Sequence, residues 1–489
     1  MKRIIVYSLL MVFFLTACKK SFLDRKPSSD TLLADQLREI GASSPSALIK
    51  VVDPSIKGIY AFMRTFGTWS ANHDDFGQKA VDLGLDLMTE DVVQSIHSWF
   101  GFDYLLDNRE APFRRTIFLW NFYYQIIYNS NLIIAQIDPA TTDMDLKHIR
   151  GQALAMRGYA YHYLIQLYQN TYKGNESAKG VPIYTTTSLT GNPRVPVSEV
   201  YERILEDLTE SINLLAGFTR GSKDAVDINI AQGMLARVYL SMERWADAAN
   251  AAKMARTGYA LMNQAAYTGG FSTLSNPEWM WGVDITSETT TIYASFFSHM
   301  DNTSPGYAGA LSIYKLISKK LYDQIPATDV RKSVFNDPAS TLDPGLPAYA
   351  QLKFRDLNPG SFTGDYVYMR AAEMYLIEAE ALARQGQNGM AQDVLFDLII
   401  SRDAAYTKSA STGATLINEI LLHKRIELWG EGITFLDMKR LNMGLDRTGS
   451  NHRSDAVLVV SAGDPAFTYQ LPQREIDNNQ SMTAADQNP

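Results

Sequence analysis

Residues 366–385, YVYMRAAEMYLIEAEALARQ, contain no proline or glycine and repeat their apolar side chains every three or four positions. This spacing places the apolar residues on one face of an α-helix, which a second helix must cover. Alanine recurs on that face, so the two helices can approach closely. Gly386 suits the end of the helix, and another helical run follows at residues 390–402. The stretch therefore predicts a helix over 366–385 and a helical hairpin with the segment after it.

Helical hairpins of this kind recur along the chain. In residues 229–257, small and large apolar side chains alternate in the manner of a tetratricopeptide unit. Long helical runs also cover residues 115–137 and 146–168. Such units stack and bury a continuous core, but their spacing here is uneven. The sequence therefore predicts a mainly α fold. Its tetratricopeptide-like helical-hairpin scaffold would carry an irregular, loop-rich ligand-binding part with a few short strands.

The helical periodicity of apolar residues is interrupted between residues 259 and 365, where proline, glycine and threonine are frequent. Residues 278–285, EWMWGVDI, have the composition of a strand, and we expect Trp279 and Trp281 to lie in the core. Residues 311–323 are predicted to form a helix. Long irregular insertions on a rigid scaffold are common places for ligand binding.

Composition and motifs exclude several classes of function. The chain has 489 residues, a net charge of −8 and no basic run longer than two residues, which argues against a nucleic-acid surface. No nucleophile elbow, zinc-protease motif or phosphate loop occurs. The acidic residues between 74 and 91 lack EF-hand spacing, so we expect solvated or helix-capping carboxylates rather than a metal site. The charges between 425 and 440 are expected to pair with each other. We predict no catalytic residues, no metal and no cofactor.

The N-terminus has the pattern of a lipoprotein signal. Lys2 and Arg3 precede an apolar segment, residues 4–15, that is too short to span a membrane. The segment ends LTAC at Cys18, the only cysteine in the chain. Small residues before a cysteine are typical of the site where signal peptidase cuts and the cysteine is acylated. We predict a signal peptide over 1–17 and a lipid anchor on Cys18.

Several motifs, taken in their order along the chain, resemble those of the SusD/RagB family. The matching segments are FLD at 22–24, HDDFGQK at 73–79, DLGLDLMTED at 82–91, ALAMRGYAYHYLIQLY at 153–168, DYVYMRAAEMYLIEAEAL at 365–382, KRIELWGEGITFLDMKR at 424–440 and LPQREID at 471–477. The resemblance covers nearly the whole mature chain. It implies a helical scaffold with an irregular ligand-facing part, in a protein that is not an enzyme. It also implies a lid on a SusC-type TonB-dependent outer-membrane barrel, and binding of glycans or, in some branches, of peptides.

The expected function is therefore that of a surface-exposed, lipid-anchored outer-membrane protein that captures oligosaccharide or polysaccharide and passes it to the transporter. A peptide-binding member of the same family and, less favoured, a glycoside hydrolase are the alternatives. We expect one SusD-like domain over 18–489. Its predicted parts are an aromatic and acidic loop region at about 56–114, a scaffold at about 115–258 and 366–443, and the insertion at about 259–365.

A glycan site requires aromatic faces for the C–H groups of a pyranose and polar side chains for its hydroxyls. Two regions outside the periodic helices supply such mixtures, one formed by residues 69–75 together with 99–104 and one at 293–299. Trp99 and Tyr293 are the predicted stacking platforms, with Trp69 and Phe296 as supporting rings. His73 and Asp103 are the predicted polar rim. For any one of these rings, the alternative is a place in the core.

Overall fold

The computed structural model describes residues 34–188, 190–339 and 343–489, so the predicted signal peptide and Cys18 lie outside the described residues. The first half of this part of the chain is mostly helical. Its helices are α1 (Ala34–Ser43), α2 (Pro45–Phe62), α3 (Gln78–Leu87), α4 (Gly101–Tyr104), α5 (Arg114–Gln136), α6 (Met144–Tyr168), α7 (Val197–Leu214), α8 (Ile228–Ser241) and α9 (Trp245–Arg256).

The second half contains shorter helices and most of the strands. The remaining helices are α10 (Gln264–Tyr267), α11 (Phe296–Met300), α12 (Lys319–Tyr322), α13 (Ala371–Arg384), α14 (Asn388–Ile399), α15 (Gly413–Glu427), α16 (Thr434–Arg440) and α17 (Gln473–Asn478). The strands are β1 (Val92–Gln94), β2 (Lys179–Pro182), β3 (Arg194–Pro196), β4 (Trp279–Val283), β5 (Lys315–Ile317), β6 (Tyr366–Arg370), β7 (Leu445–Asp446) and β8 (Val459–Val460). Short 3₁₀ turns occur at Val330–Val334, Ser454–Ala456, Pro465–Phe467 and Ala484–Asp486.

The long helices pack in sequence order as a stack of hairpins. Helix α6 lies between α5 and α7, and α8 packs against α9. The chain then leaves the stack after Arg256 and returns at α13, which packs against α9, α14 and α15. The structure is mainly helical, as predicted. None of the helices in the described ranges is long and apolar enough to cross a membrane.

The strands pair only in twos, each pair antiparallel: β1 with β5, β2 with β3, β4 with β6, and β7 with β8. Strand β4 is buried along its whole length, and Trp279 and Trp281 lie in the core as predicted. Its partner β6 leads directly into α13, so the β4–β6 pair attaches the irregular segment to the helical stack.

Two helix boundaries predicted from sequence are wrong. The predicted helix over 366–385 begins only at Ala371, because residues Tyr366–Arg370 pair with β4 as a strand. The residues YVY at 366–368 favour a strand when a neighbouring strand can pair with them. Here the pairing with β4 determines the structure, although the sequence also has helical periodicity. The predicted helix over 311–323 is reduced to α12, because Lys315–Ile317 pairs with β1.

The acidic residues between 74 and 91 are mostly buried, which contradicts the prediction that they are solvated. The Asp86 carboxylate accepts a hydrogen bond from the Gly432 amide at 2.8 Å, and the Asp91 carboxylate pairs with Arg425 at 3.0 Å. These carboxylates join the loop region to the helix pair near residue 430. Buried carboxylates of this kind require such partners, since an unpaired buried charge is costly.

A buried network of ionised side chains lies where β6 meets α13. Arg370 donates to both oxygens of Glu431, at 2.8 and 2.7 Å, and pairs with Glu278 and Glu427. Lys353 donates to Glu431 at 2.7 Å. The other members are Asp329, Arg331 and Arg402. Four cations thus face four carboxylates, all of them buried or nearly so. The network joins the irregular segment, β6 and α15. The prediction that the charges between 425 and 440 pair with each other holds for Asp437 and Arg440, but it is wrong for Glu427 and Glu431, whose cationic partners lie elsewhere in the chain.

Candidate functional site

A cluster of partly exposed rings lies where the loop before α3, the loop after β1 and the segments on either side of α11 meet. Its members are His73, Trp99, Tyr293 and Tyr307, and we call them the aromatic surface. The His73 and Trp99 rings stack with centroids 5.8 Å apart. Tyr307 contacts both of them and also Tyr293, with centroids 5.7, 6.3 and 6.3 Å apart respectively. The structure thus brings together three of the six predicted site residues.

The backbone near Trp99 is held by the β1–β5 pair. After β1, the Ser95 hydroxyl donates to the Ser312 carbonyl oxygen at 2.8 Å. Phe100 has a left-handed φ of 64°, and it turns the chain into α4. Phe100 itself is buried, whereas the Trp99 ring is half-buried. The turn therefore exposes one ring of the pair and buries the other.

His73 and Tyr307 are fixed by hydrogen bonds as well as by ring contacts. The Tyr307 hydroxyl lies 2.8 Å from His73 Nδ1. His299 Nε2 lies 2.7 Å from the His73 carbonyl oxygen, and that oxygen can only accept, so Nε2 carries the proton. Burial, followed by the charge of Lys315, lowers the pKa of His299 to about 3, so its ring is neutral near pH 7. That ring stacks on Tyr307 with centroids 4.7 Å apart and forms the floor beneath the aromatic surface.

Tyr293 is the most exposed ring of the aromatic surface, with 52% of its area accessible. The residue before it, Ile292, has a φ of 53°, a strained conformation for a β-branched side chain. Phe362, whose ring lies 5.8 Å from that of Tyr293, also has a left-handed φ, of 53°. The Thr290 hydroxyl donates to the Phe362 carbonyl oxygen at 2.8 Å and joins the two segments. Strained residues of this kind are concentrated at functional sites.

Asp103 does not lie at the rim of the site, so this prediction is wrong. Only 4% of Asp103 is exposed, and its carboxylate accepts from Arg115 at 2.7 Å and from the Tyr469 hydroxyl at 3.3 Å. Arg115 also pairs with the buried Asp74, at 3.3 Å. Burial opposes ionisation of Asp74, but the charges of Arg115 and Arg114 outweigh it and lower the pKa of Asp74. These ion pairs support the loops from below and are closed to a ligand.

Phe296 and Trp69 also lie apart from the aromatic surface. Phe296 is 2% exposed and packs in the core against Phe354, 5.1 Å away, so it cannot touch a ligand. Trp69 is 39% exposed, but its ring lies beside Arg474 and lines a different cleft. The predicted supporting rings therefore occupy two other environments.

Tyr307 was not identified from the sequence, although it is the central ring of the aromatic surface. It follows the run Ser304-Pro305-Gly306, a typical turn signal. A tyrosine directly after such a turn, within an irregular insertion, is the one signal that could have indicated it. Gly306 is needed there, because a Cβ would lie 2.6 Å from the Ser298 Cα.

The fold and the aromatic surface define a class of protein: a stack of helical hairpins that displays a ring-lined surface on irregular segments. Comparison with known families agrees. A SusD-like family model described as starch-binding and associating with the outer membrane matches residues 71–240, and the SusD family model matches residues 349–489. The chain belongs to the SusD/RagB family.

Solved structures of similar proteins support the same assignment. A SusD-like carbohydrate binding protein from Bacteroides vulgatus is 26% identical, with 89% of this chain and 97% of that chain covered and a TM-score of 0.77. The surface glycan-binding protein A from Bacteroides fluxus is 18% identical, with 90% and 99% covered and a TM-score of 0.68. A laminarin binding SusD-like protein is 19% identical, with the same coverage and a TM-score of 0.67. No significant match was found among curated protein sequences.

Proposed function

We propose that this protein is a glycan-binding lipoprotein of the cell surface. It would hold an oligosaccharide against the aromatic surface and pass it to a TonB-dependent outer-membrane transporter. The observation that carries the proposal is the aromatic surface itself, where an exposed Tyr293 and a half-buried Trp99 are linked through Tyr307. The names of two similar proteins, which mention glycan and laminarin binding, point the same way.

The chemistry of the aromatic surface suits a pyranose ring. The C–H face of a sugar packs on an aromatic face by dispersion and loses little hydration when it does so. The His73 Nδ1 is engaged by Tyr307, which leaves the other ring nitrogen for a sugar hydroxyl. Since His299 fixes the His73 backbone, this polar group is held in place before the ligand arrives.

Binding without turnover is part of the proposal. A glycoside hydrolase of the common type needs two carboxyl groups that flank the glycosidic bond. The carboxylates closest in sequence to His73 and Trp99 are Asp74 and Asp103, and both are buried in ion pairs with arginine. Glycans incubated with the protein should therefore show no new reducing ends.

The test is a binding screen of the full-length protein in mild detergent against neutral plant, microbial and host glycans. We expect binding to at least one neutral polysaccharide, including laminarin or starch among the candidates, and no hydrolysis of it. Preferential binding of unstructured peptides instead would favour the alternative, a peptide-binding member of the family. Release of shorter sugars during the incubation would contradict the proposal and indicate an enzyme.

The handover to a transporter is proposed from family membership, and it has its own test. Gentle solubilisation of outer membranes should allow the protein to be purified together with a large TonB-dependent barrel. Recovery of the protein alone, under conditions that keep other such pairs intact, would contradict this part. We also propose that residues 18–489 form one domain, supported by the single large core that extends from Leu37 to Met482.

A further inference from the structure

The loop that carries His73 also carries Trp69, and Trp69 lines a cleft distinct from the aromatic surface. The cleft lies between helix α5 and the segment 184–188, and its volume is about 640 Å³. Sites for small ligands have volumes in this range. Its aromatic lining consists of Phe62, Trp69, Trp120, Tyr124, Tyr128 and Tyr184.

The rings of this cleft are fixed in position and partly accessible. Tyr124 lies 4.7 Å from Trp120 and 5.8 Å from Tyr184, measured between centroids. The Tyr124 hydroxyl donates to the Pro182 carbonyl oxygen at 2.8 Å. Tyr128 is 47% exposed and Trp69 is 39% exposed, so both can offer a face to a ligand. The cleft therefore offers exposed rings at its edge above a buried aromatic base.

Side-chain amides on helix α5 supply the polar groups. Asn121, Gln125 and Asn129 lie four residues apart, so they form a row with about 6 Å of rise per step. Gln125 Nε2 donates to Asn129 Oδ1 at 3.0 Å, which leaves the Gln125 carbonyl oxygen and the Asn129 amide hydrogens to be used. Amides both donate and accept, as the hydroxyls of a sugar require.

The charges of the side chains that line the cleft limit the classes of ligand that can bind there. Among its lining residues in the described part of the chain, only Glu475 is charged, and its Oε1 already accepts from Asn479 at 2.8 Å. The lining offers a phosphate or an acidic sugar no cation, although Arg474 lies beside the Trp69 ring, and it offers a basic peptide one carboxylate. A neutral ligand with apolar faces and many hydroxyls fits both the rings and the amides.

We propose that this cleft is a second carbohydrate site, which binds a neutral oligosaccharide segment between Trp69 and the amide row of α5. The inference rests on the proposed function and adds a site to it. His73 follows Trp69 by four positions, so their Cα atoms are at most roughly 14 Å apart.

The test is calorimetric titration of the detergent-solubilised full-length protein with laminarihexaose and with maltohexaose. The variants are Tyr128→Ala and Gln125→Ala in the cleft and Trp99→Ala on the aromatic surface. Tyr239→Ala, which truncates a half-buried tyrosine of scaffold helix α8, is the matched control.

For a hexasaccharide that binds, we expect two sites in the wild type and in the control. Tyr128→Ala should weaken one site about tenfold or more while the Trp99 site is retained. Gln125→Ala should weaken the same site less.

The outcomes separate the two proposals. A single site in the wild type, abolished by Trp99→Ala and unaffected by Tyr128→Ala, would overturn the second site and leave the proposed function intact. A lower melting temperature in both cleft variants, without a change in binding, would identify the cleft as structural and also overturn the second site. No binding of either hexasaccharide by the wild type would count against the proposed function for these glycans, and against the second site with it.

Discussion

Tyr307 determines the geometry of the aromatic surface, because its ring contacts those of four other residues. Its contacts are His73, Trp99, Tyr293 and the buried His299. Two of these, Trp99 and Tyr293, come from distant parts of the chain. Among the ring contacts of the described residues, Tyr307 is the only ring that both of them contact. A single side chain thus sets the spacing between the two proposed platforms and, if they bind a sugar as proposed, would limit the size of the unit that can lie across them.

Truncation of either platform should remove glycan binding and leave the fold intact. An aromatic anchor contributes about 2 kcal/mol or more to binding, and weak binding at an open surface cannot absorb such a loss. Trp99→Ala and Tyr293→Ala should therefore show no measurable affinity for the glycan found in the screen, with unchanged circular dichroism and melting temperature. Tyr239→Ala serves as the control. Full affinity in both platform variants would show that the aromatic surface is not the glycan-binding site.

Glu431→Gln should lower stability and leave ligand binding almost unchanged. The substitution replaces one carboxylate of the network and leaves Arg370 and Lys353 without full compensation, which costs about 3 kcal/mol for a buried pair. Thermal unfolding at pH 7 should show the loss, and titration with the same glycan should show none. A folded Glu431→Gln protein that no longer binds glycan would place this residue in the site.

Acid should weaken the same network. Burial opposes ionisation of Glu431, but the charges of Arg370 and Lys353 outweigh it and lower the pKa of Glu431 from 4.5 to about 2. A carboxylate with a lowered folded-state pKa contributes stability that is fully present above pH 4.5 and is lost as the pH falls to about 2. The wild-type melting temperature should therefore fall more steeply than that of Glu431→Gln across this range.

At the scale of elements, the loop over residues 67–75 is the part that serves both proposed sites. The Asp75 carboxylate accepts from the Thr68 hydroxyl at 2.8 Å and from the amides of Trp69 and Ser70 at 3.0 and 3.2 Å. Asp75 is itself fully buried. One carboxylate therefore fixes the conformation of the loop that presents Trp69 to the cleft and His73 to the aromatic surface.

Asp75→Ala should loosen this loop and weaken binding at both sites. Alanine has no side-chain acceptor, so all three hydrogen bonds to the loop are lost, at a cost of roughly 1–3 kcal/mol for each buried donor left unpaired. Amide hydrogen exchange should become faster in residues 67–73 while the scaffold helices are unaffected. Unchanged exchange in this loop would show that Asp75 does not determine its conformation.

The elements also show what the sequence could predict. Long helices with regular apolar spacing, such as α5, α6 and α8, were predicted within a few residues. Strand β6 was predicted as helix because its partner β4 is nearly ninety residues away in sequence, beyond any local pattern. Trp99 and Tyr293, chosen for their aromatic character, lie together in the aromatic surface, but the sequence did not indicate that Arg115 would bury Asp103. Exposure of a loop residue depends on distant partners, which composition does not indicate.

At the scale of the whole molecule, Cys18 is predicted to decide where the protein resides. Cys18→Ala removes the thiol on which the predicted lipid anchor depends, so the variant should leave the membrane fraction after a wash that strips peripheral proteins. Cys18→Ser is closer to cysteine in side-chain size and also lacks the thiol, so it should behave in the same way. Retention of either variant in the washed membranes would show that another part of the protein holds it there.

The buried charge network has a consequence for the order in which the chain folds. Its members extend from Glu278 to Glu431, so the network cannot close until most of the protein has been synthesised. The hairpins before Arg256 have local contacts and can assemble earlier, as low contact order favours. We therefore predict that the network closes late and that its interactions are absent from the folding transition state. The instability of Glu431→Gln should accordingly appear as faster unfolding with little change in the refolding rate, which stopped-flow kinetics can measure.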